Sequence, residues 1–250
     1  LPPPSAPSSQ PTQIPEFLID HVVVSNGSLL FEDHAADVAL SLPQWGLQIH
    51  AAPSGKEHVE LVLGREGTAT MQGRALPIRK IDVDALAAMD FIDFQRIEVA
   101  TAESDVKVSG TIDNFSQPKF NLSTDATLAL QPLTSFVGVQ PPASGTIHFT
   151  AKAFGPMNSL DTQFSLQGSP VRYGEFQDVN LSVEGQYNRA RNRVELSSLR
   201  VQSPFGNIRA QGGIALGEPG TSSVQAEVQH LNLQKITRAF DLGVRIASIG

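Results

Sequence analysis

The sequence predicts an all-β chain built as a long antiparallel meander with a few short helices. Three observations predict it. Apolar and polar residues alternate at period two over most of the chain, turn-forming residues separate these runs at hairpin-like intervals, and one set of runs recurs about a hundred residues later.

The alternating runs are Val22 and Val24; Val38, Leu40 and Leu42; Val59, Leu61 and Leu63; Val106, Val108 and Ile112; and Ile147, Phe149, Ala151 and Ala153. Successive side chains of a strand point to opposite faces, so each run offers one apolar face and one wet face carrying residues such as Lys107, Ser109, Thr111 and Asp113. Turns are expected at Ser25-Asn26-Gly27, Pro53-Ser54-Gly55, Asp113-Asn114, Tyr187-Asn188-Arg189 and Glu218-Pro219-Gly220. Helix is scarce. Short helices are expected near residues 84–90, where Ala and Leu follow Asp84; near 132–137; and near 233–241, where Leu233, Ile236 and Phe240 share an edge. Residues 1–16, LPPPSAPSSQPTQIPE, have little to bury and are expected to form an extended linker before a folded segment over 17–250.

The recurrence aligns residues 92–137 with 194–240. At an offset of 102 Ile92 meets Val194, Phe94 meets Leu196, Ile97 meets Leu199, Val99 meets Val201, Val106 meets Ile208, Gly110 meets Gly212 and Ile112 meets Ile214. After one inserted residue, Leu128, Leu130, Gln131, Leu133 and Thr134 meet Leu231, Leu233, Gln234, Ile236 and Thr237. Alternation alone aligns apolar positions at many offsets, so the shared Gly, Gln and Thr point to an internal duplication.

Composition narrows the function. A net charge of −7 supplies no basic stripe for phosphate contacts, so nucleic acid is excluded as the expected partner. The charged fraction, 17%, is low, and no apolar run reaches the length of a membrane-spanning helix. The absence of cysteine removes disulfides and thiolate metal sites. Histidines 21, 34, 50, 58, 148 and 230 lack the i, i+2 or i, i+4 spacing that aims two imidazoles at one ion, so no metal and no cofactor is expected. Asp82, Asp84, Asp90 and Asp93 lack the glycine and closing glutamate of a calcium loop. With no nucleophile elbow, phosphate-binding loop or dinucleotide fingerprint, the chain is not expected to be an enzyme and no catalytic residue is assigned. Asn-x-Ser triplets at Asn26, Asn114, Asn121 and Asn180 read as wet-face spacing rather than glycosylation sites, and Arg189, Arg191 and Arg193 as a solvated turn.

Three stretches carry a resemblance: IPEFLIDHVVVSNGSLLFEDHAADVALSLPQWGLQIHA after the proline-rich start, SDVKVSGTIDNFSQPKFNLSTDATLALQPLTSFVG, and FQDVNLSVEGQYNRARNRVELSSLRVQSPFGNIRAQGGIAL. The first, where an apolar-x-Asn-Gly turn precedes a strand ending in Asp, resembles an entry segment of the TamB and AsmA-like proteins of diderm bacteria. The second, in its order of strand, glycine, strand, Pro-centred turn, longer strand and Leu-x-x-Leu, resembles their recurring unit, and the third resembles the unit that follows. The resemblance implies a meander curled into an open, repeating β-groove with an apolar inside, where strand parity alone leaves groove and closed sandwich both open. It further implies an excerpt of a longer chain that crosses the periplasm and is anchored in the inner membrane by a segment elsewhere. Such proteins take part in phospholipid transport to the outer membrane and, for TamB, in outer-membrane protein assembly and secretion through an outer-membrane barrel partner. That partner would be met by regions outside this chain.

The expected groove lining is Val106, Val108, Ile112, Phe120, Leu122, Ile147, Phe149, Phe164, Leu166, Leu181, Val183, Leu196 and Val201, with phospholipid acyl chains as the ligand. A scaffold that captures strands by edge pairing is the second reading. A generic β-sandwich binding module is the third, disfavoured by the single Trp45 and only two tyrosines.

Overall fold

The computed structural model describes residues 21–52, 55–217 and 220–230. The expected linker and the helix near 233–241 lie outside the described residues. Fifteen strands follow one another: β1 (His21–Asp33), β2 (Val38–Ala52), β3 (Lys56–Leu63), β4 (Gly67–Met71), β5 (Arg74–Ile78), β6 (Lys80–Ala88), β7 (Phe91–Ala100), β8 (Asp105–Asp113) and β9 (Lys119–Ala129), then α1 (Leu130–Val137), then β10 (Thr146–Pro156), β11 (Asp161–Tyr173), β12 (Phe176–Asn188), β13 (Arg193–Ser203), β14 (Gly206–Ala215) and β15 (Ser223–Gln229). They form one antiparallel sheet ordered β15 through β6, then β3, β2, β4 and β5, with β1 on β2. β4 and β5 add to the first half of β2, where β3 no longer pairs. The sheet does not close into a barrel; it is an open all-β groove.

The strands form where the alternation places them, and cross-strand register keeps their apolar sides together. Val108 stands between Ile97 and Thr124, and Phe149 between Ala126 and Leu166. Two local readings are corrected. Asp84 to Ala88 extend as part of β6 instead of forming a helix. Ala has high helix propensity, yet that preference is worth only tenths of a kcal/mol per residue and gives way to pairing on both edges. Ala85 sits between Val59 and Phe94 and is 1% exposed. Ser25-Asn26-Gly27 is a bulge inside β1, not a hairpin turn: Asn26 takes φ 57°, and Gln44 Nε2 donates to its Oδ1 at 2.7 Å. A bulge spends the left-handed residue without reversing the chain.

α1 falls where the expected helix over 132–137 lies. Its start is held by the Ala129 N–H, which donates to Ser104 Oγ at 2.9 Å, and it ends at Gly138, whose φ of 82° suits glycine. Arg74 Nε on β5 donates to Phe136 O at 2.8 Å and fastens the helix to the β4–β5 hairpin.

The recurrence appears in the ladder itself. β7–β8 pairs Ile92 with Ile112, Phe94 with Gly110, Ile97 with Val108 and Val99 with Val106, with a bulge between Phe94 and Ile97. β13–β14 pairs Val194 with Ile214, Leu196 with Gly212, Leu199 with Ala210 and Val201 with Ile208, with a bulge between Leu196 and Leu199. Every partner is shifted by 102, bulge included. Both facing glycines take positive φ, 122° and 144°.

Candidate functional site

Tracing register from strand to strand places all thirteen expected groove residues on one face. Val106, Val108 and Ile112 of β8 stand opposite Ala126, Thr124 and Phe120 of β9; Leu122 and Ala126 lead to Ala153 and Phe149, and Ile147 lies on the same side of β10. From β10 the row passes to Leu166 and Phe164, from there to Val183 and Gly185, and onward to Leu181, Leu196 and Val201. The face extends in both directions. Ile97, Val83, Leu61, Leu47 and Val24 continue it toward β1, and Ile208 and Val228 carry it to β15.

This face has no second layer over it among the described residues. A closed sandwich buries the inner residues of both sheets completely. Among the described residues no large side chain is fully buried, and the buried apolar side chains are Leu63, Ile78, Ala85 and Ala126. The thirteen groove residues are all half-buried, shielded by their neighbours on the sheet. Toward the edge the cover thins, and Val224 and Val228 are each 50% exposed. Only α1 and a single 3₁₀ turn at Met157–Ser159 are available as helical cover among the described residues, and neither is long. The closed-sandwich reading is therefore set aside on the fold.

The opposite face is polar from rung to rung. Lys107 pairs with Asp125 and Glu98, and Ser123, Lys152, Gln163, Gln186 and Glu195 form one continuous row. Over β9–β13 a hollow of about 810 Å³ is lined by residues of both parities, Lys152, Gln163 and Glu195 together with Phe164 and Leu196 of the expected groove set. Strand parity gave no sign of that hollow.

Toward β6 the polar face carries an ion network. Lys80 Nζ lies 2.6 Å from Glu98 Oε2 and 3.4 Å from Asp82 Oδ2, and Arg96 Nη2 lies 3.0 Å from Asp82 Oδ1. The Lys80 hydrogen bond holds the Glu98 carboxyl below the ordinary glutamate value, and the same bond raises the Lys80 ammonium above its own. Glu98 thus stabilises the fold above the ordinary glutamate pKa and loses that contribution as pH falls through its lowered value. Lys80 contributes below the ordinary lysine pKa and loses it as pH rises through its raised value. The pair is intact throughout neutral pH. In Lys80→Met the Glu98 carboxyl is expected to titrate at higher pH than in the parent chain, read by carboxyl-carbon NMR; an unmoved titration would assign the depression to other charges.

The four clustered aspartates have local structural roles. Asp82 and Asp84 are partners in ion pairs on β6, and Asp90 Oδ1 accepts the Phe115 N–H at 2.6 Å across the turn. Asp93 Oδ2 accepts from Gln95. Arg189 and Arg191 are exposed in the β12–β13 turn, whereas Arg193 pairs with Glu195 and donates to Thr221 O at 2.7 Å.

The histidines need a correction. Spacing along the chain separates His50 from His58 by eight residues, but the β2–β3 hairpin makes them direct partners. His50 Nε2 and His58 Nδ1 are 3.2 Å apart, and His58 Nε2 is 2.8 Å from Asp84 Oδ1. The signal was legible only through register: two histidines at equal distance from a Pro-Ser-Gly turn share a rung. No family model, no curated protein and no solved structure matches the chain. Among the described residues no helix is long and apolar enough to cross a membrane.

Proposed function

We propose that the chain is a segment of a periplasm-spanning, TamB and AsmA-like protein, anchored in the inner membrane by a segment outside this sequence, and that its apolar face conducts phospholipid toward the outer membrane. The observation that carries the reading is an apolar face, continuous across β8 to β13, with no second protein layer over it among the described residues. Six strands at a spacing of about 4.8 Å make a strip of about 24 Å. The strip is half-buried by its own neighbours and open above them among the described residues, which is the setting in which an apolar ligand adds contacts. Acyl chains supply the missing contacts, each buried methylene contributing about 0.8 kcal/mol, and no headgroup pocket is required.

Photo-crosslinking amino acids on β8 and β10 test the reading. At 108 and 149 they are expected to capture phospholipid in cells, and at 107 and 109, on the polar face of the same sheet, they are not. Equal capture from both faces, or none from either, would leave the sheet as a scaffold for outer-membrane protein assembly.

A further inference from the structure

We propose that His50, His58 and Glu60 form a binding site for a divalent transition-metal ion of the zinc type, with Asp84 as the group that orients the His58 ring. The site lies on the polar face of β2, β3 and β6, opposite the apolar groove, and does not depend on lipid conduction.

The three side chains bring one ligand atom each to within 4.8 Å of one another, and all three residues are half-buried. Two imidazole nitrogens bound to one tetrahedral ion at about 2.0–2.1 Å stand about 3.3–3.4 Å apart. His50 Nε2 and His58 Nδ1 already stand 3.2 Å apart, with ring planes at 85° and centroids 4.8 Å apart. Without an ion that contact is a hydrogen bond between the two rings, and an ion that replaced its proton would meet both nitrogens with little change in their spacing.

Asp84 gives the second, independent argument. A carboxylate accepts and does not donate, so the Asp84 contact at 2.8 Å keeps the proton on His58 Nε2. In that tautomer Nδ1 carries the lone pair and faces His50. This is the arrangement of metal-ligating histidines, whose far ring nitrogen donates to a carboxylate that sets tautomer and ring angle. Glu60 on β3 pairs with Asp84 on β6 and with Gln48 on β2, which puts its carboxylate on the same face as both rings. Two nitrogens and one oxygen suit zinc and its neighbours better than calcium or magnesium, and three protein ligands leave a fourth position for water or another donor. His21 occupies the next position of the rung on β1, its ring 6.4 Å from that of His50. Rigid strands hold both imidazoles, and binding would tie β2 to β3 across their ladder.

The test uses the 250-residue chain and metal ions alone. Zinc chloride titrated by calorimetry is expected to bind at one ion per chain, and cobalt(II) is expected to give the visible absorption of a tetrahedral nitrogen–oxygen site that zinc displaces. His50→Ala and His58→Ala should each abolish the cobalt spectrum while the far-ultraviolet circular dichroism stays that of a β-sheet. Asp84→Asn keeps all three ligands and should weaken zinc by about 10- to 100-fold, the range for loss of an orienting partner. Absence of stoichiometric zinc binding to the parent chain would overturn the proposal, and so would binding that survives both histidine substitutions.

Discussion

Val108→Asp and Phe149→Asp are each expected, on the proposed conducting role, to stop phospholipid movement along the groove while the sheet still forms. Both side chains are half-buried on the apolar face, Val108 between Ile97 and Thr124 and Phe149 between Ala126 and Leu166. Without lipid the new carboxylate meets water in the open trough and is tolerated. With an acyl chain passing over it, the charge must be desolvated or must draw water into the apolar strip, costing several kcal/mol. A barrier raised by about 3 kcal/mol slows passage roughly a hundredfold. Lys107→Gln and Ser109→Asp supply the comparison, since both lie on the same strand as Val108 with the opposite parity, and Gln avoids placing a third acid between Asp125 and Glu98. They are expected to leave transport within about twofold, because surface substitutions of this kind shift energies by only about 0.5 kcal/mol. Transport of labelled phospholipid between membranes in cells measures the difference. Equal loss from both faces would mean that added charge, not desolvation in the groove, is responsible.

Gly110→Ala is expected to be among the most destabilising of the single-methyl additions, at about 3 kcal/mol. Gly110 sits opposite the β7 bulge at φ 122°, a conformation that side-chain-bearing residues rarely adopt and that costs about 1–3 kcal/mol to impose. A Cβ there would also overlap the backbone carbonyl oxygen of Asn121 on β9, which cannot rotate away as a side-chain end could. The β8–β9 ladder must open to admit it, so the upper end of the strain range applies. Gly212→Ala is expected to show the same defect against Ser223 O on β15. Two other glycines calibrate the effect. Gly174, at φ 54° with open space around its missing side chain, should lose about 1 kcal/mol on replacement by Ala. Gly46, with ordinary backbone geometry and its nearest contact at 3.6 Å, should be near neutral. Urea unfolding followed by hydrogen exchange at the β8 and β9 amides separates these cases. A Gly110 variant as stable as the Gly46 variant would show that the bulge does not require glycine.

Both expectations rest on parity, and parity is the property most legible in the chain. Side chains alternate because of backbone geometry, so Val106, Val108, Phe149 and Leu166 declare a shared face before any partner is known. α1 was legible for a similar reason: its residues break the alternation and Gly138 ends it. The matched Gly110 and Gly212 were visible as identities, and the structure shows why those two positions hold glycine, because each faces a bulge on the preceding strand.

What the chain by itself determined is which residues prefer extended backbone and which face each of them occupies, since both are set within a few neighbouring residues. Tertiary structure alone decided the rest. Asp84 to Ala88 became a strand because β3 and β7 pair with both of its edges, outweighing a weak local helical preference. Asn26 became a bulge because β2 continues past it as an unbroken partner. His50 and His58 became neighbours because a hairpin register, not their spacing along the chain, sets which side chains meet, and Asp84 joined them from a third strand. The apolar face was likewise written in the sequence residue by residue. That no second sheet covers it among the described residues is a property of how fifteen strands assemble, which alternation along one chain segment does not fix.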